Sequence, residues 1–169
     1  MQHRRDSTSG DPMSPDDVSW RSVSPRLALA RRIVAGIVYG VVAAGLITLG
    51  VLTQSRSISL SAVVPVLLFG WSWWVIGRQV RALGYAERDD DLLIRRGVMF
   101  RSLVVVPYGR MQFVDVGAGP LDRALGIARV QLHTASPASD ASIPGLPPER
   151  AAELRDQLAR RGEARLAGL

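Results

Sequence analysis

Two apolar stretches, Ile33–Thr53 and Ile58–Gly77, constrain this chain more than any other feature. Neither carries a charged side chain. At about 1.5 Å rise per residue, each is long enough to cross a hydrocarbon core of about 30 Å. Gln54-Ser55-Arg56-Ser57 between them is only long enough to turn the chain, so the two spans are antiparallel neighbours. Backbone groups in hydrocarbon need partners within the segment, so both spans are expected to be helices. The expected hairpin covers residues 33–77, with a kink at Pro65. A signal peptide fits poorly. The first apolar run is too long, no small-residue cleavage site follows, and a second span comes at once.

Arginine sets the orientation. Arg21, Arg26, Arg31 and Arg32 precede the first span, Arg78, Arg81 and Arg88 follow the second, and Arg56 alone lies between. Positive charge stays on the cytoplasmic side, which predicts a multi-pass protein of the cytoplasmic membrane with both termini inside. Trp71, Trp73 and Trp74 fall near the cytoplasmic end of the second span, where an interfacial aromatic belt explains them better than a ligand cage. Gly36, Gly40 and Ala44 are spaced by four along the first span. Such a stripe suits close packing on the second helix or on a partner helix, and so an oligomer. The absence of charge inside the spans argues against a proton relay or ion path.

Outside the hairpin there is room for one small domain. Cysteine is absent, which removes disulfides, thiolate metal sites and cysteine nucleophiles. All 21 basic residues are arginine, a bias attributed to coding rather than chemistry. The formal net charge of +6 is spread along the chain without a long basic run or a basic-aromatic alternation, so no nucleic-acid partner is expected.

Residues 1–19 are polar and read as a disordered tail. Residues 20–32 form a juxtamembrane lead-in whose Trp20, Val23 and Leu27 rest either on the membrane or on the soluble domain. From residue 83 the periodicity changes. Short strands are expected at 83–88, 92–96, 102–107, 111–116 and 127–134, with turns at Asp89-Asp90-Asp91, Gly97 and Tyr108-Gly109-Arg110. Val114 and Val116 are assigned to the core face. Ala128, Val130 and Leu132 share one face of their strand, and Arg129, Gln131 and His133 the other. A helical turn fits 121–125. Ser136–Ser142, which contains Pro137, reads poorly as a strand, and Ile143 belongs to a short last one. Pro147-Pro148 then starts a helix with an apolar stripe of Ala151, Leu154 and Leu158. A domain over 83–161 follows, and residues 162–169 are expected to fray.

The run LVVVPYGRMQFVDVGAGPLDRALGIARVQLHTA, with IPGLPPERAAELRDQL after it, resembles the bacterial pleckstrin-homology family of YdbS-like membrane proteins. The matching features are Pro107, Arg110, Gln112, Gly119-Pro120-Leu121, Arg123, Gly126, Thr134-Ala135 and Gly145-Leu146, with the hairpin ahead of them. The resemblance covers roughly Leu83 to Leu158. It implies two roughly orthogonal antiparallel sheets capped by a C-terminal helix, a membrane-bound role, and no catalytic residues or cofactor to carry over. It also makes another membrane protein with such domains a plausible partner, beside the lipid bilayer itself.

Few residues invite a chemical reading. Gly117-x-Gly119 fails the dinucleotide pattern because position 122 is Asp, and turn chemistry explains it. His133 has no cysteine or second histidine with which to share a metal, and no serine-histidine-aspartate site is placed by the pattern. Asp89-Asp90-Asp91 lacks the glycine and distal glutamate of a calcium loop and reads as a solvated turn. That acidic first turn also argues against assuming inositol-phosphate recognition. Arg95, Arg96, Arg101 and Arg110 lie on or near successive turns, and together form the candidate site for lipid or another anionic ligand. The first expectation is a non-enzymatic interaction module held at the membrane and binding other membrane proteins. The alternative is anionic-lipid recognition by the arginines, and the weakest is an enzyme or transporter component.

Overall fold

The computed structural model describes residues 18–99, 101–134 and 140–167. The expected N-terminal tail lies almost wholly outside the described residues, as do positions 136–139 of the doubtful strand.

Helix α1 (Arg26–Leu52) is followed by the short α2 (Arg56–Ser61) and by α3 (Val63–Ala82). The chain turns between α1 and α2 through Gln54, at φ 51°. The expected kink appears as a break at Ala62, just ahead of Pro65. Pro65 is the third residue of α3, where its missing N–H costs no helical bond, while its ring disfavours continuous helix back through Ser61. Ser61 Oγ donates instead to the Ile58 carbonyl at 2.6 Å. Both α1 and the run from Arg56 to Ala82 are long and apolar enough to cross a membrane. Ile37, at 62% exposed, and Val41 and Leu67, both at 67%, are left uncovered by the rest of the chain. A core helix of a soluble protein would hide such side chains.

The domain holds two antiparallel sheets. The first has the order β1 (Arg21–Ser22), β2 (Gly84–Glu87), β3 (Asp91–Arg96), β4 (Ser102–Pro107). The second has the order β5 (Met111–Gly117), β6 (Ala128–Thr134), β7 (Ala141–Leu146). A 3-10 turn at Tyr108–Arg110 joins them, and α4 (Pro120–Ala124) supplies the expected helical turn between β5 and β6. Helix α5 (Pro148–Ala167) closes the core with Ala151, Leu154 and Leu158, all essentially buried. This is the expected two-sheet, helix-capped architecture. On β6 the alternation holds: Ala128, Val130 and Leu132 are buried while Arg129 and Gln131 are exposed. On β5 a bulge between Met111 and Phe113 shifts the alternation, so that Met111 and Val114 face the core and Phe113 faces outward. Val116, expected in the core, is 36% exposed, because β5 is an outer strand whose last residues are open to solvent. The last strand is longer than Ile143 alone suggested. Pro144 fits within it because β7 is also an outer strand and needs one pairing side only.

The lead-in departs most from expectation. Arg21 and Ser22 pair with Tyr85 and Gly84, so the helical hairpin is an insertion between the first two strands of one sheet. The first two turns of α1 then run through the domain. Val23, Leu27, Ala28 and Ala30 belong to the same buried cluster as Leu92, Val130 and Leu154. Ser24 N donates to Gly145 O at 2.8 Å. Gly145 sits at φ +76°, and a Cβ there would lie 2.7 Å from Leu27 Cβ, so the contact between stem and domain requires glycine. Of the two surfaces open to residues 20–32, the chain uses the domain. At the other terminus α5 extends past Gly162 to Ala167. Gly162 is buried, and Arg165 pairs with Asp90.

Candidate functional site: a cationic groove between hairpin and domain

The path of the chain decides which turns lie beside the hairpin. Strand β2 leaves α3 almost directly and runs away from it, and β3 returns. The turn between β3 and β4 therefore comes back to the end of α3, while Asp89–Asp91 lies at the opposite end. Between the last turns of α3 and that near turn is a groove of about 850 Å³. Trp71, Trp74 and Val75 form one wall, and Val98 and Met99 part of the other. Met99 is 84% exposed. Three cations complete the lining: Arg31 from the stem of α1, Arg78 from α3 and Arg96 from the end of β3. The lining residues include no carboxylate.

The three arginines are held differently. Arg78 stacks on Trp74, its Cζ 4.8 Å from the ring centroid. Arg96 bridges the sheets by donating from Nη2 to Ser142 O at 2.5 Å, while its buried Nε has no hydrogen-bond partner among the described residues. Arg31 is half-buried in the stem.

Only part of the arginine set singled out by sequence meets here. Arg95 precedes Arg96 in the strand's alternation and takes the opposite face, with its Cζ 4.8 Å over the Trp20 ring. Arg101 is exposed beside the β3–β4 turn. Arg110 lies at the far end: Arg96 pairs with Ser102, but Asp91 pairs with Pro107, and the strand between spans roughly 17 Å. In the sequence, Arg31 and Arg78 read as topology charges. The signal for Arg78 was in the sequence, since Trp71, Trp74 and Arg78 are spaced by three and four on one helix face.

The tryptophans also divide. Trp71 and Trp74 line the groove, their rings 5.9 Å apart. Trp73 turns to the other helix, where Arg32 covers its ring at 4.3 Å and donates to its carbonyl at 3.3 Å. Arg32 passes over Gly77, where a Cβ would sit 2.8 Å from its Nη2. Of the small-residue stripe, Gly36 faces the Phe69 ring, whereas Gly40 and Ala44 are exposed and a Cβ at Gly40 would meet nothing within 4 Å.

The far end of the domain is organised around Glu87. Its carboxylate lies 3.5 Å from Arg21, 3.8 Å from Arg150 and 3.9 Å from Arg161. Beside it, Tyr108 Oη donates to Arg88 O at 3.0 Å and accepts from Arg161 Nη1 at 2.7 Å. Burial raises the Tyr108 phenol above its ordinary pKa, although Arg161 pulls the other way, and burial with Glu87 and Glu153 nearby raises Tyr85. The triple aspartate forms a tight turn in which Arg88 N donates to Asp91 O at 2.9 Å. His133 stacks on Phe113 at 4.3 Å and lies 3.3 Å from Asp140 and 3.8 Å from Asp115. Gly119 caps α4, its N–H donating to Asp122 Oδ2 at 3.3 Å. Among the described residues no three histidine or carboxylate side chains are grouped to hold a metal ion.

A helical hairpin set into a two-sheet barrel with a C-terminal helical cap defines a class, the membrane-anchored proteins with a pleckstrin-homology-like domain. This chain belongs to the bacterial PH domain family, whose model matches residues 28–162. It is also similar to the transmembrane protein YdbS of Bacillus subtilis (strain 168), with 30% identity over 122 residues, covering 61% of this chain and 76% of that protein. No solved structure matches. The matched residues begin after β1, so Arg21 and Ser22 lie ahead of the family match while their partner strand β2 lies within it.

Proposed function

We propose that the chain spans the cytoplasmic membrane twice, with both termini inside, and serves as a non-enzymatic interaction module for other membrane-bound proteins. The observation that carries this reading is the stem: Leu27, Ala28 and Ala30 of the first helix belong to the domain core. A domain built around the helix that anchors it cannot swing on a linker. It presents a fixed face at a fixed height, and confinement to the surface raises its effective concentration toward partners in the same plane. Membership of a PH-domain family rather than an enzyme family supports a binding role. Strand β4 is an outer strand of its sheet, with Val105 48% exposed, and offers an edge for a partner strand. Another membrane protein with such domains is the proposed partner class.

The chain has no cysteine, so single cysteines test topology cleanly. In intact cells an impermeant maleimide is expected to label Ser57→Cys in the hairpin loop, and Ser102→Cys only after permeabilisation. The reverse pattern overturns the orientation. A photo-crosslinking residue at Val105 is expected to capture integral membrane proteins from the anchored full chain, and the same residue at Arg155 on α5 is not. Equal capture at both positions overturns recognition by the β4 edge.

A further inference from the structure

The groove between α3 and the β3–β4 turn has a ligand chemistry that its neighbours specify. We propose that it binds an anionic phospholipid of the leaflet that the domain faces, with the phosphate among Arg31, Arg78 and Arg96 and an acyl chain along Trp71, Trp74 and Val75. Three observations converge on it. First, the groove holds three guanidinium groups with no carboxylate among its lining residues. An incoming phosphate supplies the negative charge that the lining lacks. Second, the groove begins where the apolar run ends at Gly77, the level of the lipid headgroups for a helix that crosses the bilayer. Third, its walls are apolar toward the hairpin, and Met99 is exposed beside them. A soluble anion satisfies the first condition only, whereas a lipid satisfies all three.

Charge also chooses among lipids. A zwitterionic headgroup brings an ammonium that the three arginines repel, while an anionic diester brings only the phosphate. The inference goes beyond the interaction module proposed above, and either can fail alone, because one concerns the β4 edge and the other the membrane-facing groove.

The test uses the full chain in non-ionic detergent micelles, titrated with dioleoyl phosphatidylglycerol, with dioleoyl phosphatidylcholine, or with glycerophosphoglycerol, which is the anionic headgroup without acyl chains. Bound lipid is counted by native mass spectrometry. Phosphatidylglycerol is expected to bind about tenfold more tightly than phosphatidylcholine, and the deacylated headgroup much more weakly than either. Arg78→Gln and, separately, Met99→Glu are each expected to reduce the preference about fivefold while the protein melts as before. Both positions are exposed, Met99 at 84%. Arg155→Gln with Arg160→Gln, on the exposed face of α5, is the charge control and is expected to change nothing. Equal affinity for the two lipids overturns the proposal. So does a headgroup that binds as tightly without its acyl chains, which assigns the groove to a soluble phosphate, or an equal loss in the control, which reduces the effect to net charge.

Discussion

Arg21, Arg150 and Arg161 surround Glu87 at the end of β2 away from the hairpin, while Arg31, Arg78 and Arg96 line a groove beside it that contains no carboxylate. The same side chain is used in two ways. Around Glu87 it draws together β1, β2 and both ends of α5, because a carboxylate only 15% exposed needs its charge balanced. In the groove, one arginine is held by an indole and one by a backbone carbonyl, so their positions are set while their charge is left unbalanced. The difference teaches that an arginine's role follows from what balances it rather than from its local sequence. Arg95 and Arg96 are adjacent and take different roles.

The largest effect expected bears on what holds the groove side in place. Leu27→Asp puts a carboxylate into the core against Gly145, where no cation is paired with it. The cost is expected to exceed about 4 kcal/mol, enough to unfold the domain while leaving the hairpin in the membrane. Pulse proteolysis of the full chain in detergent would show cleavage within residues 83–161 without denaturant. A resistant domain would mean that the stem is dispensable and that the groove hangs on α3 alone.

Next comes the contrast itself. Glu87→Gln keeps the shape but leaves three arginines facing a neutral group, and about 2 kcal/mol of stability is expected to go. The distances of 3.5–3.9 Å keep the value below that of a tightly hydrogen-bonded buried pair. Arg78→Gln, at an exposed position, is expected to cost less than about 0.5 kcal/mol. Urea midpoints by pulse proteolysis compare the two directly, and similar losses would erase the distinction between the two arginine groups.

How much of this was legible follows from the range over which each feature is determined. The hairpin, the alternation of β6 and the stripe of Ala151, Leu154 and Leu158 are each set within one segment by one period, and all were readable. The stem was not. Val23, Leu27 and Ala30 suit a bilayer as well as a core, and what decides between them is a pairing of Arg21 with Tyr85 across the whole hairpin. The groove was half legible. Arg96 was chosen for its turn, but its companions Arg31 and Arg78 looked like topology charges. Only the return of β3 to the end of α3 brings the three together. Arg110 was chosen by the same reasoning as Arg96, and the strand length between them separates the two.

A smaller effect tests the Glu87 end through pH. Tyr108 and Tyr85 keep their protons in the folded protein to higher pH than in the unfolded chain, since burial penalises the phenolate. Their contribution is whole below the unfolded value of about 10 and is lost as pH rises through the folded values, so stability falls with alkalinity there. Tyr108→Phe removes the bonds to Arg88 O and Arg161, costing about 1 kcal/mol at neutral pH, and also makes the alkaline decline shallower. Melting temperatures between pH 8 and pH 11, ranges set by the ordinary phenol pKa of about 10, check both signs. An unchanged slope would show that Tyr108 is deprotonated as easily folded as unfolded.

The smallest effect belongs to the acidic turn, and it separates a charge that is balanced for structure from one that is merely near an arginine. Asp90 is paired with Arg165, yet both side chains are more than half exposed, so water solvates each charge nearly as well without the other. The turn itself is fixed by backbone: Arg88 N donates to Asp91 O, and Tyr108 N to Asp90 O. Asp89→Asn with Asp90→Asn keeps those bonds and the turn propensity of the residues. The double change is therefore expected to lower the stability read from urea midpoints by less than about 0.5 kcal/mol and to leave phosphatidylglycerol binding unaltered at the other end. A loss as large as that of Glu87→Gln would show that proximity of charge alone holds this end together, and burial around Glu87 would no longer be what distinguishes it.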